Sequence, residues 1–179
     1  AEAKANATQN IDQLTALNEA QHQAINNRIN NANDLNDIQS IVNEANKLNH
    51  AMTELQQAVN DNNEPTKQTG NYLNADTQLK HDFDEAITQA QQALDHPTGS
   101  NLTTDQINQL KDAITHTKDA LNGNQRLNDS KSDALNKLDQ LKHLNNAQKQ
   151  MAEQQINSAN TLGDVAKAAQ KATTLDKSM

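Results

Sequence analysis

Six histidines, His22, His50, His81, His96, His116 and His143, are the residues best suited to acid–base or metal chemistry in a chain without cysteine. Asp112 with His116, and His81 with Glu85, stand four residues apart, a spacing that would put two ligands on one helix face. Two ligands do not make a centre: a closed zinc site needs four, each steadied by a partner behind it, and the sequence marks no third or fourth. Asp82 with Glu85 and Asp84 with Glu85 could be imagined as an acid and a base. That chemistry needs one carboxyl with a raised pKa in a recessed apolar pocket. With 34% apolar and 1% aromatic residues the core must be made of Ala, Leu and Ile, and slim bundles of that material offer few recesses. There is no glycine-rich phosphate loop and no serine flanked as in a nucleophile elbow. These residues therefore read as solvated helix faces. The sequence points to no catalytic, cofactor-binding or metal residue and to no cofactor, the chain is not expected to be an enzyme, and no binding residue is singled out.

The net charge of −8 and the dispersal of the fifteen Lys and Arg among acids argue against nucleic acid or an anionic membrane as partner. No 18-residue apolar run and no signal peptide is visible, so neither membrane insertion nor export is encoded in this stretch. The chain reads as a piece of a larger protein, with helices as its only regular element; two Pro and four Gly among 179 residues agree.

The longest of these helices carries Ile38, Ile41, Ala45, Leu48, Met52, Leu55 and Val59 at alternating spacings of three and four, one apolar seam over Leu35 to Val59 with Asp34 as its N-cap. It is longer than one small bundle needs and is expected to be shared by two. Before it, Ala3, Ala7, Ile11, Leu14 and Leu17 line a first helix, and Asn18 with Gln21 caps a second carrying Ala20, Ala24, Ile25, Ile29 and Ala32. Connections this short make successive helices antiparallel neighbours. From Asp61 to Asn71 the sequence is polar, includes Pro65 and Gly70, and is expected to be a loop. A helix starting near Asn74 or Ala75 then carries Leu79, Phe83, Ile87, Ala90 and Leu94 and stops at His96-Pro97-Thr98-Gly99. Thr103 with Gln106 caps the next, whose seam is Ile107, Leu110, Ile114 and Leu121, with Gly123 as its C-terminal stop. Tyr72 and Phe83, the only aromatics, are expected to anchor this second core.

Ile11 to Met52 aligns without gaps onto Leu138 to Met179, with 17 of 42 positions identical at an offset of 127 residues. The first bundle type thus returns from about Leu127, with Ala134, Leu135, Leu138, Leu141 and Leu144 on its first helix. Ala147, Met151, Ala152 and Ile156 lie on its second, and Val165, Ala168, Ala172 and Leu175 on a third capped by Thr161 and Asp164. The seam might instead pair between chains, but its partner helices lie close by in the same chain, so a monomer is expected.

Tyr72-Leu73-Asn74-Ala75-Asp76, Phe83-Asp84-Glu85-Ala86-Ile87, Thr98-Gly99 and Ala120-Leu121-Asn122-Gly123 resemble the FIVAR module of bacterial surface proteins. The flanking units, with Leu144-Asn145-Asn146-Ala147-Gln148-Lys149-Gln150, Ile156-Asn157, Ala159-Asn160-Thr161 and Asp164-Val165, resemble the GA module, a relative of albumin-binding three-helix domains. Their alternation at this period is similar to the giant staphylococcal extracellular-matrix-binding surface proteins. The resemblance implies a wall-anchored adhesin, with its anchor outside this segment, attaching to a host extracellular-matrix protein such as fibronectin. It does not extend to albumin: Gln21 to Ala32 and Gln148 to Ala159 contain none of the aromatic residues that albumin-binding GA modules present there.

The expectation is all-α: tandem three-helix bundles joined by long shared helices into an elongated rod. They comprise residues 1–47 (GA-like), 48–125 (FIVAR-like, with the shared helix at about 35–59) and 126–179 (GA-like, with a truncated last helix). The function expected is that of an adhesin repeat segment. A carbohydrate or cell-wall binding module and a pure structural spacer are the alternatives; the first lacks exposed aromatic platforms for sugar stacking.

Overall fold

The computed structural model describes residues 1–179. It is all-α, as expected, with no strand and nine helices: α1 Glu2–Asp12, α2 Glu19–Asn31, α3 Leu35–Lys67, α4 Gly70–Leu73, α5 Thr77–Leu94, α6 Thr104–Asp119, α7 Gly123–Asp139, α8 Asn146–Asn157 and α9 Leu162–Ser178. No peptide bond is cis and no residue, glycine included, has a positive φ. The chain divides into two compact units, residues 1–64 with 81–119, and residues 65–80 with 120–179.

In the first unit α3 is the spine. All seven seam residues from Ile38 to Val59 are buried, while Leu35, one turn earlier, is 70% exposed. Asp34 accepts a hydrogen bond from the Asp37 backbone N–H at 2.8 Å, the N-cap that its short acceptor side chain predicts. Ions and amides tie α3 to its neighbours. Arg28 of α2 pairs with Glu44 at 2.7 Å, Lys111 of α6 with Glu54 at 2.7 Å, and Lys118 donates to Asn62 Oδ1 at 2.8 Å. Ile11, Leu17 and Ile29 fill the core on the α1–α2 side, and Phe83, Ile87, Ile107 and Ile114 fill it on the α5–α6 side.

The helix does not stop at Val59. It runs on to Lys67 through Pro65, so the loop expected over Asp61 to Asn71 is instead the last two turns of α3 followed by the single turn α4. Proline breaks a helix by removing one N–H and crowding the preceding turn, but within the last turn that loss is confined to one bond. Thr66 next to it is buried, and the Asn62 side chain bonds back to the Ala58 carbonyl at 2.7 Å. At about 1.5 Å per residue the 33 residues of α3 make a rod of roughly 50 Å.

The second unit packs α7, α8 and α9 around Leu138, Leu144, Ile156 and Val165, diluted by five buried alanines. α4 lies against α7. Gly123 is not a C-terminal stop: α6 ends at Asp119, and Gly123 is the buried first residue of α7. Its hydrogen is needed for space, because a Cβ there would come within 2.2 Å of the Asn71 carbonyl oxygen. α5 starts at Thr77, later than the apolar period suggested. Asn74, which could have capped it, is drawn elsewhere: its side chain donates to the Asn160 carbonyl and accepts from the Leu162 N–H, closing the α8–α9 connection, and Asp76 takes the Gln78 N–H instead. Of the two aromatics, Phe83 is fully buried, but Tyr72 is only half-buried, with the Lys80 ammonium 5.9 Å from its ring centre. Ala147 and Met151 face outwards rather than into the core.

Candidate functional site

The residues singled out for chemistry do not converge. His81 and Glu85 form an exposed pair along α5 at 3.5 Å, and Asp112 and His116 lie exposed on α6. Asp82 and Asp84 flank the buried Phe83 on the same helix. Nowhere do three or more His, Asp or Glu side chains come together as a metal would require. Two carboxyls are perturbed, and both are lowered. Glu54 is held down by its hydrogen bond and charge pairing with Lys111, and Asp176 by the His143 backbone N–H. A general acid needs a shift in the opposite direction.

What the helices do build is an amide clasp. Asn18 and Gln21 form a reciprocal capping box at the start of α2, each backbone N–H bonded to the other's side chain at 2.9 Å. Both side chains also reach across to the α5–α6 connection. Asn18 Nδ2 donates to the carbonyls of Ala93 at 3.0 Å and Ser100 at 2.9 Å, and Gln21 Nε2 donates to Leu102 at 3.2 Å. The Ala93 carbonyl belongs to the last turn of α5, where carbonyls lack intrahelical partners, so Asn18 serves as the N-cap of one helix and the C-terminal donor of another. Both amides are buried. Gly99 sits against them, since a Cβ there would lie 2.6 Å from Asn18 Nδ2. The sequence announces the capping box but not the clasp. Asn145 and Gln148, the same pair one repeat later, make an identical box without the buried contacts, so residue type alone does not distinguish the two.

Two open grooves run between the second and third helices of the GA-like bundles. The first, about 450 Å³, has an apolar floor of Ala24, Ile25, Ala45 and Leu48, the Arg28–Glu44 pair on its rim, and residues 101–105 as one wall. The second, about 210 Å³, is floored by Leu144, Ala152, Ala172 and Leu175 and edged by Met151, Gln155 and Lys171. No helix is long and apolar enough to cross a membrane.

Comparison with known proteins places this architecture. The GA module profile matches residues 1–51 and 124–178, and the FIVAR domain profile matches residues 51–122. The chain is 54% identical over 177 residues to the extracellular matrix-binding protein ebh of Staphylococcus aureus strain MW2, and equally to EbhA of strain Newman. It covers 99% of this chain in each case but spans only 2% and 5% of those proteins' lengths. Among solved structures, the 756–1003 domain of S. aureus EbhA superposes with a TM-score of 0.91 at 32% identity, covering 97% of this chain and 70% of that one. A structure determined in connection with Embp-mediated adherence of Staphylococcus epidermidis to fibronectin has a TM-score of 0.61 at 29% identity over 67% of this chain and 94% of that one.

Proposed function

The chain belongs to the GA module family and carries a FIVAR domain between its two GA matches, and on that premise we propose that it is a non-enzymatic repeat segment of a bacterial cell-surface adhesin. The observation that carries this reading is identity of 54% across 99% of the chain to proteins named for extracellular matrix binding. The neighbour associated with adherence to fibronectin makes that matrix protein the first partner to test. The segment works as a monomeric, elongated stretch of three bundles, residues 1–47, 48–125 and 126–179, in a protein held at the cell wall by parts outside this sequence. Its contacts with matrix are individually weak and are multiplied by repetition, since linked sites raise apparent affinity without any new contact.

The test is binding of the purified chain to immobilised fibronectin beside a glycan array. Saturable binding to fibronectin alone supports the proposal, binding to glycans alone replaces it with a carbohydrate-binding module, and binding to neither leaves a spacer. Small-angle scattering addresses the stalk: a maximum dimension no larger than that of a compact 179-residue sphere would remove it.

A further inference from the structure

Of the four glycines only Gly123 follows an asparagine. Each member of the pair is demanded by a different contact of the second unit. Gly123 opens α7 as a buried residue because a Cβ there would come within 2.2 Å of the Asn71 carbonyl oxygen. Asn122 Oδ1 accepts the Asp76 backbone N–H at 2.9 Å. Placed together they form the dipeptide most prone to losing its side-chain amide, since a neighbour without a Cβ leaves its backbone nitrogen free to approach the Asn122 Cγ. In that reaction the Gly123 nitrogen bonds to Cγ, the carboxamide nitrogen departs as ammonia carrying the backbone proton, and a succinimide ring results. Water then opens the ring at either carbonyl, leaving aspartate or isoaspartate at position 122. The folded chain withholds the first step. Ring closure requires the Gly123 nitrogen to eclipse the Asn122 Cβ, but with ψ at 18° it nearly eclipses Asn122's own backbone nitrogen. Only a wide rotation about the Asn122 Cα–C bond brings it round. A single carboxamide spans that bond: Asn71 Nδ2 donates to the Leu121 carbonyl at 3.2 Å on one side, and Asn71 Oδ1 accepts the Asn124 N–H at 3.0 Å on the other.

We propose that Asn122–Gly123 is a self-modification site, clamped by the Asn71 carboxamide while α4 lies on α7 and converted through the succinimide to isoaspartate when that contact opens. The conversion is one-way. Isoaspartate routes the backbone through Cβ and Cγ, which adds one atom, about 1.5 Å of chain, ahead of a glycine that has no room even for a methyl. The opened segment therefore does not return to its place against Asn71. Aspartate at the same position behaves differently: it keeps an oxygen for the Asp76 N–H and sets a negative charge at the N-terminus of α7, where the helix dipole favours it. Openings of this unit thus leave a covalent record. The inference is independent of matrix attachment, so loss of fibronectin binding leaves it standing.

The experiment incubates the full chain in mildly alkaline buffer with and without denaturing urea. Isoaspartate at position 122 is read by peptide mapping and by labelling with a protein isoaspartyl methyltransferase. The native chain accumulates it at least about a hundredfold more slowly than the unfolded one, because only opened molecules react. Asn71→Ala removes both ties across the rotating bond without touching a reacting atom. It speeds the native reaction roughly tenfold or more, the scale of two hydrogen bonds lost, and leaves the rate in urea unchanged. A second readout needs no variant. Modified chains are separated after incubation in urea, refolded, and compared by hydrogen exchange over residues 70–76 and 121–126. Those with aspartate regain protection and those with isoaspartate do not. Equal rates with and without urea overturn the proposal. So does an Asn71→Ala chain that reacts no faster than the native one, and so do isoaspartate chains that regain full protection.

Discussion

Replacing Asn18 by Asp separates two roles that one side chain performs. The substitution keeps an oxygen for the Gln21 N–H, so α2 retains its cap. It deletes the Nδ2 donor to the Ala93 and Ser100 carbonyls and sets a carboxylate, 1% exposed, against two carbonyl oxygens at the C-terminal end of α5. That end carries the negative pole of the helix, so the charge is repelled as well as desolvated. One stranded carbonyl costs about 1–3 kcal/mol and a buried unpaired charge adds to it, giving about 3–5 kcal/mol in all. Asn145→Asp is the built-in control. The same cap in an exposed setting should change stability by no more than about 0.5 kcal/mol, in the favourable direction at a helix N-terminus. Urea unfolding read by hydrogen exchange within each unit measures both. For a urea slope of about 2 kcal/mol per molar, the Asn18 variant should lower the midpoint of the first unit by roughly 2 M. Because burial raises the pKa of the introduced carboxyl, its protonation restores a donor and the defect should shrink as pH falls towards 4. Equal effects at the two sites, or a loss below about 1 kcal/mol at Asn18, would refute the clasp.

Further expectations concern the spine, the glycines and one carboxylate. Leu48→Pro should cost at least about 3 kcal/mol and speed exchange on both sides of the substitution along α3; loosening confined to residues 35–47 would contradict one cooperative helix. Gly123→Ala should lower the melting temperature, losing about 1–3 kcal/mol to overpacking against the Asn71 carbonyl despite the better helix propensity of alanine; a rise would show that the backbone yields there. Gly163→Ala, whose Cβ would meet nothing closer than 3.8 Å, should raise it by up to about 1 kcal/mol of stability, and a drop would count against the open surroundings. Asp176 has a folded pKa below its unfolded one, so its contribution is complete above the ordinary carboxylate range and disappears as pH falls through the lowered value. Asp176→Asn should therefore flatten the acid limb of the second unit's melting profile between pH 5 and pH 2, a range set by ordinary carboxylates at about 3.9 and the downward shift. An unaltered limb would show that another group governs it.

The seam of α3 and the caps at Asp34, Asn18, Thr103 and Thr161 were legible because a helical period and a short acceptor side chain act locally. The errors lie where tertiary contacts override such signals. Pro65 looked like a breaker, but it falls in the last turn of α3, where little is lost, just after Asn62 has tied α3 to Lys118 of α6. Gly123 looked like a stop, yet what it provides is room for a distant backbone carbonyl. Asn74 was available to cap α5 and is taken by a partner 86 residues away. The clasp at Asn18 was invisible for the same reason: its second set of partners lies 75 and 82 residues on, at a distance no local pattern encodes.

Every connection in this chain turns without asking any residue for a left-handed conformation. Glycine is then indispensable only at Gly99 and Gly123, where a neighbour presses too close for a methyl. Elsewhere the bends set no backbone restriction on residue type, and where one side chain is demanded, as at Asn18 and Asn74, it is for its hydrogen bonds. Copies can therefore drift apart, as the 25 unlike positions of 42 between the two GA-like bundles illustrate, in the core pairs Ile25/Ala152 and Ile41/Ala168 as well as on the outside, while the order of the helices is kept. A surface polymer assembled from such parts can change its outward chemistry copy by copy without redesigning its framework.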